Sequence, residues 1–348
     1  MSQTPTQTAA KTGIVLFNLG GPDSQQAVQP FLFNLFNDPA IIRLPNPFRW
    51  LLAKLISSRR APVAAEIYAK MGGRSPILPQ TEAQAAALQA ALGDNHRVFI
   101  AMRYWHPFAE ETVRAVKEWG ADRIVLLPLY PQFSTTTTAS SFADWQRVAD
   151  RIGLTAPAAR IGCYSDEPGF VAAQTELLRQ ALPAAEAKGP VRILFSAHGL
   201  PKKVVTDGDP YQMQVERSVA AILKQLNRPE LDSRICYQSR VGPLEWIGPA
   251  TDAEITQAAK DGRSIVVVPV AFVSEHSETL VELDIEYAEL AHHNGAAGYS
   301  RVATVGAQPD FIAGLARLVR GADFDGKTRC GFGPRPCGNA WRRCACDA

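Results

Sequence analysis

Short apolar runs recur along the chain, each bounded by turn residues, and longer stretches rich in Ala, Gln and Glu lie between them. In the first half the runs are Ile14–Asn18, Val98–Met102, Ile124–Leu129 and Ala158–Cys163. In the second they are Val191–Ser196, Ile235–Gln238, Ile265–Val270 and Val302–Gly306. Each is too short and too evenly apolar for an amphipathic helix, so the pattern predicts strands buried on both faces. Gln80–Leu92, Glu110–Trp119 and Gln212–Leu226 carry good helix formers and are expected as helices. Strand and helix in alternation imply parallel sheets covered on both sides.

The residues at the strand ends repeat in order. Ile14–Pro22 parallels Ile193–Pro201, Val98–Pro107 parallels Ile235–Pro243, and Ile124–Pro131 parallels Ile265–Phe272. We therefore expect an α/β protein of two Rossmann-like, doubly wound halves, each with a parallel four-stranded sheet. The expected boundaries are a disordered tail at 1–12, a first half at 13–167, a second half at 168–325 opened by a linking helix at 168–188, and a Cys-rich tail at 326–348. Ligands of such folds bind beyond the carboxyl ends of the strands, which points to a cleft between the halves. Gly20-Gly21-Pro22 and Gly72–Pro76 lack G-x-G-x-x-G spacing and any Walker lysine. They are expected as tight turns rather than nucleotide loops.

Composition narrows the class. The 348 residues are 46% hydrophobic and 20% charged, as in a chain that buries a full core. A net charge of +2 offers no basic face for nucleic acid. Met1 to Gly13 lacks the apolar segment of a secretory signal. The longest uncharged run, Ile124–Ala143, is broken by Pro128, Pro131 and four consecutive threonines, so it does not read as a membrane span. A soluble cytoplasmic protein is the expectation. Cys163 and Cys236 stand alone, whereas Cys330, Cys337, Cys344 and Cys346 crowd the last nineteen residues. A chain this long has no need of a disulfide framework, and the tail reads as a place for a metal or a cluster.

His198 sits just past the run Val191–Ser196, where an imidazole would project into the cleft and could bind a metal or accept a proton near neutral pH. The corresponding segment later in the chain carries Glu278, Glu282 and Glu286 at i, i+4 and i+8, with no lysine or arginine from Ser264 to Ser300. Stacked carboxylates oppose helix stability but attract divalent cations; a solvated acidic face is the alternative. An ordinary helix would let the row drift sideways, and a π-type segment, common at functional sites, would keep it straighter. One imidazole and one carboxylate from opposite halves suit ferrous iron or zinc. Tyr68, Arg103, Tyr104, Trp246 and Phe272 add flat and cationic side chains, a set that suits a large planar anion.

Together these segments resemble the ferrochelatase family. The resemblance rests on Phe17–Pro22, Gly72–Pro76, Arg103-Tyr104, Leu194–Tyr211, Tyr237–Pro243 and Phe272–Tyr287, and it extends over roughly Gly13 to Val319. It implies two Rossmann-like halves of the class II chelatase type and insertion of Fe²⁺ into protoporphyrin IX, the last step of haem synthesis. It further implies that His198 and Glu278 form the iron-site pair, and that Glu282 and Glu286, with Asp284 nearby, belong to an acidic row on a π-helix. Arg59, Arg60, Tyr68 and Ser75 match positions that contact the porphyrin and its propionates, and Arg103, Tyr104, Trp246 and Phe272 match pocket-lining positions. Two residues depart from the family pattern: Leu19 stands where animal members carry methionine, and Glu275 replaces a common aspartate.

Some members of this family carry a [2Fe–2S] cluster on C-terminal cysteines, in animals joined by one internal cysteine. The spacing C-x6-C-x6-C-x-C differs from the animal pattern, yet Cys330, Cys337, Cys344 and Cys346 would suffice alone. Tetrahedral zinc and an unliganded tail are the alternatives. Either His198 or Glu278 could be the base, with the other as metal ligand. Protoporphyrin and coproporphyrin both remain open as substrates, with Gln238–Pro243 favouring the former, and oligomeric state is not legible. A cobalt or nickel chelatase and a non-catalytic tetrapyrrole carrier are the rival functions. Pro45–Ile56 could be a lip touching the inner membrane peripherally, although ordinary core packing is the slightly favoured expectation.

Overall fold

The computed structural model describes residues 10–240, 242–331, 337–338 and 340–346. Seven consecutive buried residues make β1 (Thr12–Asn18) a central strand. It pairs in parallel with β2 (His96–Met102) on one side and β3 (Arg123–Pro128) on the other, and β3 continues to β4 (Ala158–Cys163). Helices α1 (Val28–Phe36), α2 (Phe48–Ala69) and α3 (Ile77–Leu92) fill the long first crossover. The next two crossovers hold α4 (Ala109–Trp119) and α5 (Thr138–Ile152), and α6 (Pro168–Glu186) leads into the second half.

There β5 (Val191–His198), β6 (Asp232–Gln238), β7 (Ser264–Pro269) and β8 (Gly298–Arg301) form an all-parallel sheet in the order β6-β5-β7-β8. The crossovers carry α7 (Lys202–Thr206), α8 (Tyr211–Leu226) and α9 (Thr251–Lys260), then a π-helix (Glu278–Glu286) continued by α10 (Tyr287–His293); α11 (Pro309–Arg320) closes the half. The first sheet runs β2-β1-β3-β4 in the same sense, so the repeat of loop chemistries reflects a repeat of topology. In both halves the chain leaves the first strand in opposite directions, which places the switch point at the carboxyl ends of β1 and β3, and of β5 and β7.

Two strand expectations are corrected. The first sheet has five strands, because β9 (Thr328–Cys330) pairs in parallel with β4, setting Cys330 opposite Cys163. A three-residue strand leaves no periodicity to read, yet it covers an edge that would otherwise stand open. The eighth strand is Gly298–Arg301 rather than Val302–Gly306. Val302 and Val305 are buried, but in the loop that follows the strand; the apolar signal came from core packing rather than from a ladder. Residues 1–9 of the expected disordered tail lie outside the described residues, and Thr12 already belongs to β1.

One apolar core runs through both sheets, taking Ile14, Leu16 and Val125 from the first and Ile193, Phe195 and Val266 from the second. Fully buried glutamines stitch the halves together. Gln84 Nε2 donates to the carbonyls of Val273 (2.8 Å) and Gly306 (3.0 Å), and Gln132 Nε2 donates to Ser218 Oγ (2.8 Å). Phe133 N donates to Gln214 Oε1 at 2.7 Å. Helices α1 and α2 stand apart on a smaller cluster of Val28, Phe31, Leu32, Tyr68 and Tyr104.

Candidate functional site

His198 is the last residue of β5. The turn after it is tight: a Cβ on Gly199 would lie 2.8 Å from the Gln238 carbonyl and 3.3 Å from the Trp246 ring. Glycine therefore lets the loop pass over the end of β6. Across the second switch point, the segment after β7 enters the π-helix, whose first residue is Glu278. His198 Nδ1 lies 2.9 Å from Glu278 Oε2, and His276 Nε2 lies 3.9 Å from the same oxygen. The two residues that the sequence sets eighty positions apart thus meet at the end of β5. They do so within the second half, not from opposite halves as the sequence reading expected, because His198 and Glu278 both follow strands of the second sheet.

Electrostatics bias their protonation. Burial alone would push Glu278 up, but the His198 imidazolium and its hydrogen bond outweigh burial and bring the carboxyl down to about 2. For His198, burial acts downward, and the charge and hydrogen bond of Glu278, helped by Glu282, raise it above its ordinary value. His276 goes the other way, because burial outweighs the pull of Glu278 and Glu275. Its Nδ1 is buried and has no hydrogen-bond partner among the described residues. The site therefore favours the charged forms of His198 and Glu278 and the neutral form of His276.

The rest of the acidic row divides. Glu282 accepts from Gln238 Nε2 (3.0 Å), Ser239 N (2.9 Å), Ser239 Oγ (2.5 Å) and Tyr287 Oη (3.0 Å), so its carboxylate anchors the end of β6. Burial and the charge of Glu278 still raise its pKa. Glu286 is exposed. Asp284 faces Arg301, whose Nε and Nη2 each reach it at 2.7 Å. Arg301 Nη1 also donates to Glu275 at 2.8 Å, and Thr304 N adds a third bond to that carboxylate. Arg301 was missed in the sequence. It stands one residue beyond the cation-free interval and neutralises the flank of the helix rather than the row.

The porphyrin candidates are spread over several surroundings. Phe272 stacks edge-on against His276, with ring centroids 4.5 Å apart, and Trp246 lies over Gly199, so both adjoin the ion pair. Tyr68 hydrogen-bonds Ser277 beside Glu278, and burial pushes its phenol up to about 12. Ser75 packs so closely on the β1 loop that a Cβ on Gly21 would fall 2.5 Å from its Oγ. Arg59 and Arg60 lie on the exposed face of α2, with Arg60 over the Phe36 ring at 5.8 Å. Arg103 and Tyr104 are held by a residue the sequence did not reveal. Buried Asp38 accepts from Arg103 Nη2 (2.8 Å), Tyr104 Oη (2.8 Å) and Ser140 Oγ (2.6 Å). Tyr104 is only 1% exposed, so it braces Arg103 from beneath instead of presenting its own ring.

The ferrochelatase family profile matches residues 11–322. The chain is 53% identical to the ferrochelatase of Phenylobacterium zucineum, covering 97% of this chain and 98% of that one. It is 51% identical to the ferrochelatase of Caulobacter vibrioides, covering 97% of each. This chain belongs to the ferrochelatase family. Among solved structures, SirB from Bacillus subtilis with Fe³⁺ superposes with a TM-score of 0.51 at 16% identity, covering 90% of this chain and all of that one. At that identity the likeness concerns the fold.

The profile ends before the cysteines, and there the sequence expectation is revised. Cys163 at the end of β4 joins the tail: the sulfurs of Cys163, Cys330 and Cys346 lie within 4.8 Å of one another. Cys337 and Cys344 hydrogen-bond each other, and Gln214 Nε2 donates to Cys337 at 3.1 Å. Cys330 and Cys346 are joined as a disulfide, so the four tail cysteines are not all free as expected. Cys163 escaped notice because strand pairing, not sequence proximity, brings it there. Burial pushes the Cys163 thiol well up, which suits a sulfur that ionises only on meeting a metal. With that disulfide reduced, the group would offer five sulfur donors, all but Cys344 buried, at the edge of the first sheet, enough for a thiolate-bound metal centre.

Proposed function

We propose that this ferrochelatase inserts Fe²⁺ into protoporphyrin IX to give protohaem, with His198 and Glu278 as the groups that handle protons and metal. The 2.9 Å pairing of imidazole and carboxylate at the strand switch point carries the reading. Metalation must remove two pyrrole protons and strip water from the ion. Fe²⁺ and the His198 proton compete for the same Glu278 carboxylate, since each is a cation that it stabilises. Arrival of the metal at Glu278 then lowers the affinity of His198 for its proton and leaves a free imidazole facing the ring. Trp246, Phe272 and Tyr68 supply flat walls against which the macrocycle can be bent toward the shape its transition state needs. Arg103, held by Asp38, and Arg59 and Arg60 on α2 are cations for the propionates.

The test is an anaerobic assay with Fe²⁺ and protoporphyrin. Multiple turnovers are expected for the parent, and none for His198→Ala, which should still bind porphyrin. Turnover only with cobalt or nickel, or stoichiometric binding without product, would replace this reading.

The cysteine group supports a resident [2Fe–2S] centre, for which four of Cys163, Cys330, Cys337, Cys344 and Cys346 would suffice. When bound, such a centre supplies a one-electron couple. The same ligands would also serve tetrahedral zinc, and metal analysis of protein purified without air distinguishes the two.

The segment around α2 supports contact with an anionic bilayer. No described helix is long and apolar enough to cross a membrane. Within Pro45–Ile56, Ala53 is buried and Leu52 and Ile56 are half-buried, whereas Phe48 is 64% and Leu51 55% exposed, with Ile41, Leu44, Trp50 and Leu55 also exposed, so the segment packs by one face and offers the other to a surface. Between Pro39 and Ala65 the chain carries Arg43, Arg49, Lys54, Arg59 and Arg60 and no acid. An apolar rim with cations, of which Arg43 alone has an acidic partner among the described residues (Asp207, 3.7 Å), favours an anionic lipid surface.

A further inference from the structure

Five cysteines meet at one place and a sixth does not. Cys163, Cys330 and Cys346 are mutual neighbours, and Cys337 and Cys344 adjoin them within electrostatic reach of Cys163. Cys236 is buried in the second sheet. A disulfide between Cys330 and Cys346 leaves three thiols in the group, one fewer than a four-thiolate [2Fe–2S] or zinc centre requires. We propose that the group is a thiol–disulfide switch, in which Cys330 captures Cys346 and the oxidised pair excludes the metal centre. The inference rests on the metal-centre reading above and adds a second, metal-free state to it.

The fold builds both partners into place. Cys330 is fixed by strand pairing opposite Cys163. Cys346 sits over Gly162, where a Cβ would lie 2.7 Å from its sulfur, so the missing side chain is the space that Cys346 occupies. Arg343 N donates to the Gly208 carbonyl at 3.1 Å and docks the chain end on the second half. With five cysteines and four needed, one thiol stays off the metal; a peroxide oxidises it to the sulfenic acid, and the second thiol, released from the metal, displaces water from it. Two thiols and one H₂O₂ give one disulfide and two waters.

The experiment uses the full chain, purified without air with its metal bound and then exposed to graded H₂O₂. Bound metal is measured, and alkylated peptides are mapped by mass spectrometry. In the parent, metal loss should rise in step with a Cys330–Cys346 cross-linked peptide. Cys330→Ser keeps four thiols in the group and cannot form that bond, so it should retain its metal at doses that strip the parent. If that variant does not fold, the cross-linked peptide and metal content of the parent alone decide. A parent that forms the cross-link with its metal retained, or a folded Cys330→Ser as sensitive as the parent, would overturn the switch while leaving the metal centre standing. Reduced parent that holds neither iron nor zinc before any oxidant is added would overturn the metal-centre reading and the switch together.

Discussion

His198 and Glu278 each favour the charged form of the other, and the proposed chemistry follows from that coupling. Truncating His198 to Ala should lower turnover at least ~100-fold, the scale of a lost acid–base group, while a fluorescence titration still shows porphyrin binding. Near-normal turnover would remove His198 from its role. Glu275 makes a different point about charge. Burial would raise its pKa, but Arg301 and the Thr304 amide bring it below the ordinary value. A carboxyl depressed in the folded state stabilises it above the unfolded pKa of about 4.3, and that contribution disappears as pH falls through the folded value. Glu275→Gln should therefore lower stability by about 1–3 kcal/mol at pH 7. The gap between parent and variant should close below about pH 4. A gap unchanged with pH in paired denaturant titrations would contradict the assignment.

At the scale of elements, the π-helix separates three carboxylates that the sequence treats alike. Glu282 is saturated by four donors from the end of β6 and Tyr287, and Glu286 is exposed. Glu282→Leu should thus leave several partly buried donors unpaired, at up to about 1–3 kcal/mol each, and lower the thermal midpoint. Glu286→Gln should leave the midpoint unchanged, and any effect should appear only in the KM for Fe²⁺. Equal loss of stability in the two variants would refute the distinction. Seven of the eight expected strands and this helix were legible because each repeats a local pattern: apolar runs for strands, a four-residue carboxylate spacing for the helix; the polar β8 (Gly298–Arg301) was not. Contacts made by single residues across long distances were not. Asp38 under Arg103, Cys163 beside the tail, Arg301 on the helix flank and the three-residue β9 have no periodicity, and only the folded chain brings their partners near.

For the whole molecule, the exposed apolar rim and its five cations give a measurable consequence. The chain should float with vesicles containing anionic lipid and stay behind with neutral ones, and raised salt should weaken the association. Flotation indifferent to lipid charge would remove the electrostatic part. The continuous core has the larger consequence. Apolar packing and buried glutamines join the two sheets, so admission of a macrocycle is expected to rely on motion outside that shared core. The separately clustered α1 and α2 are where that motion is expected, with Tyr68 tying α2 to Ser277 like a latch on a door. Their amides should exchange with deuterium well before those of β1 or β5. Departure of finished haem would then be timed by that door's swing rather than by the bond-making step, and loosening the latch would speed release even where the chemistry itself is untouched.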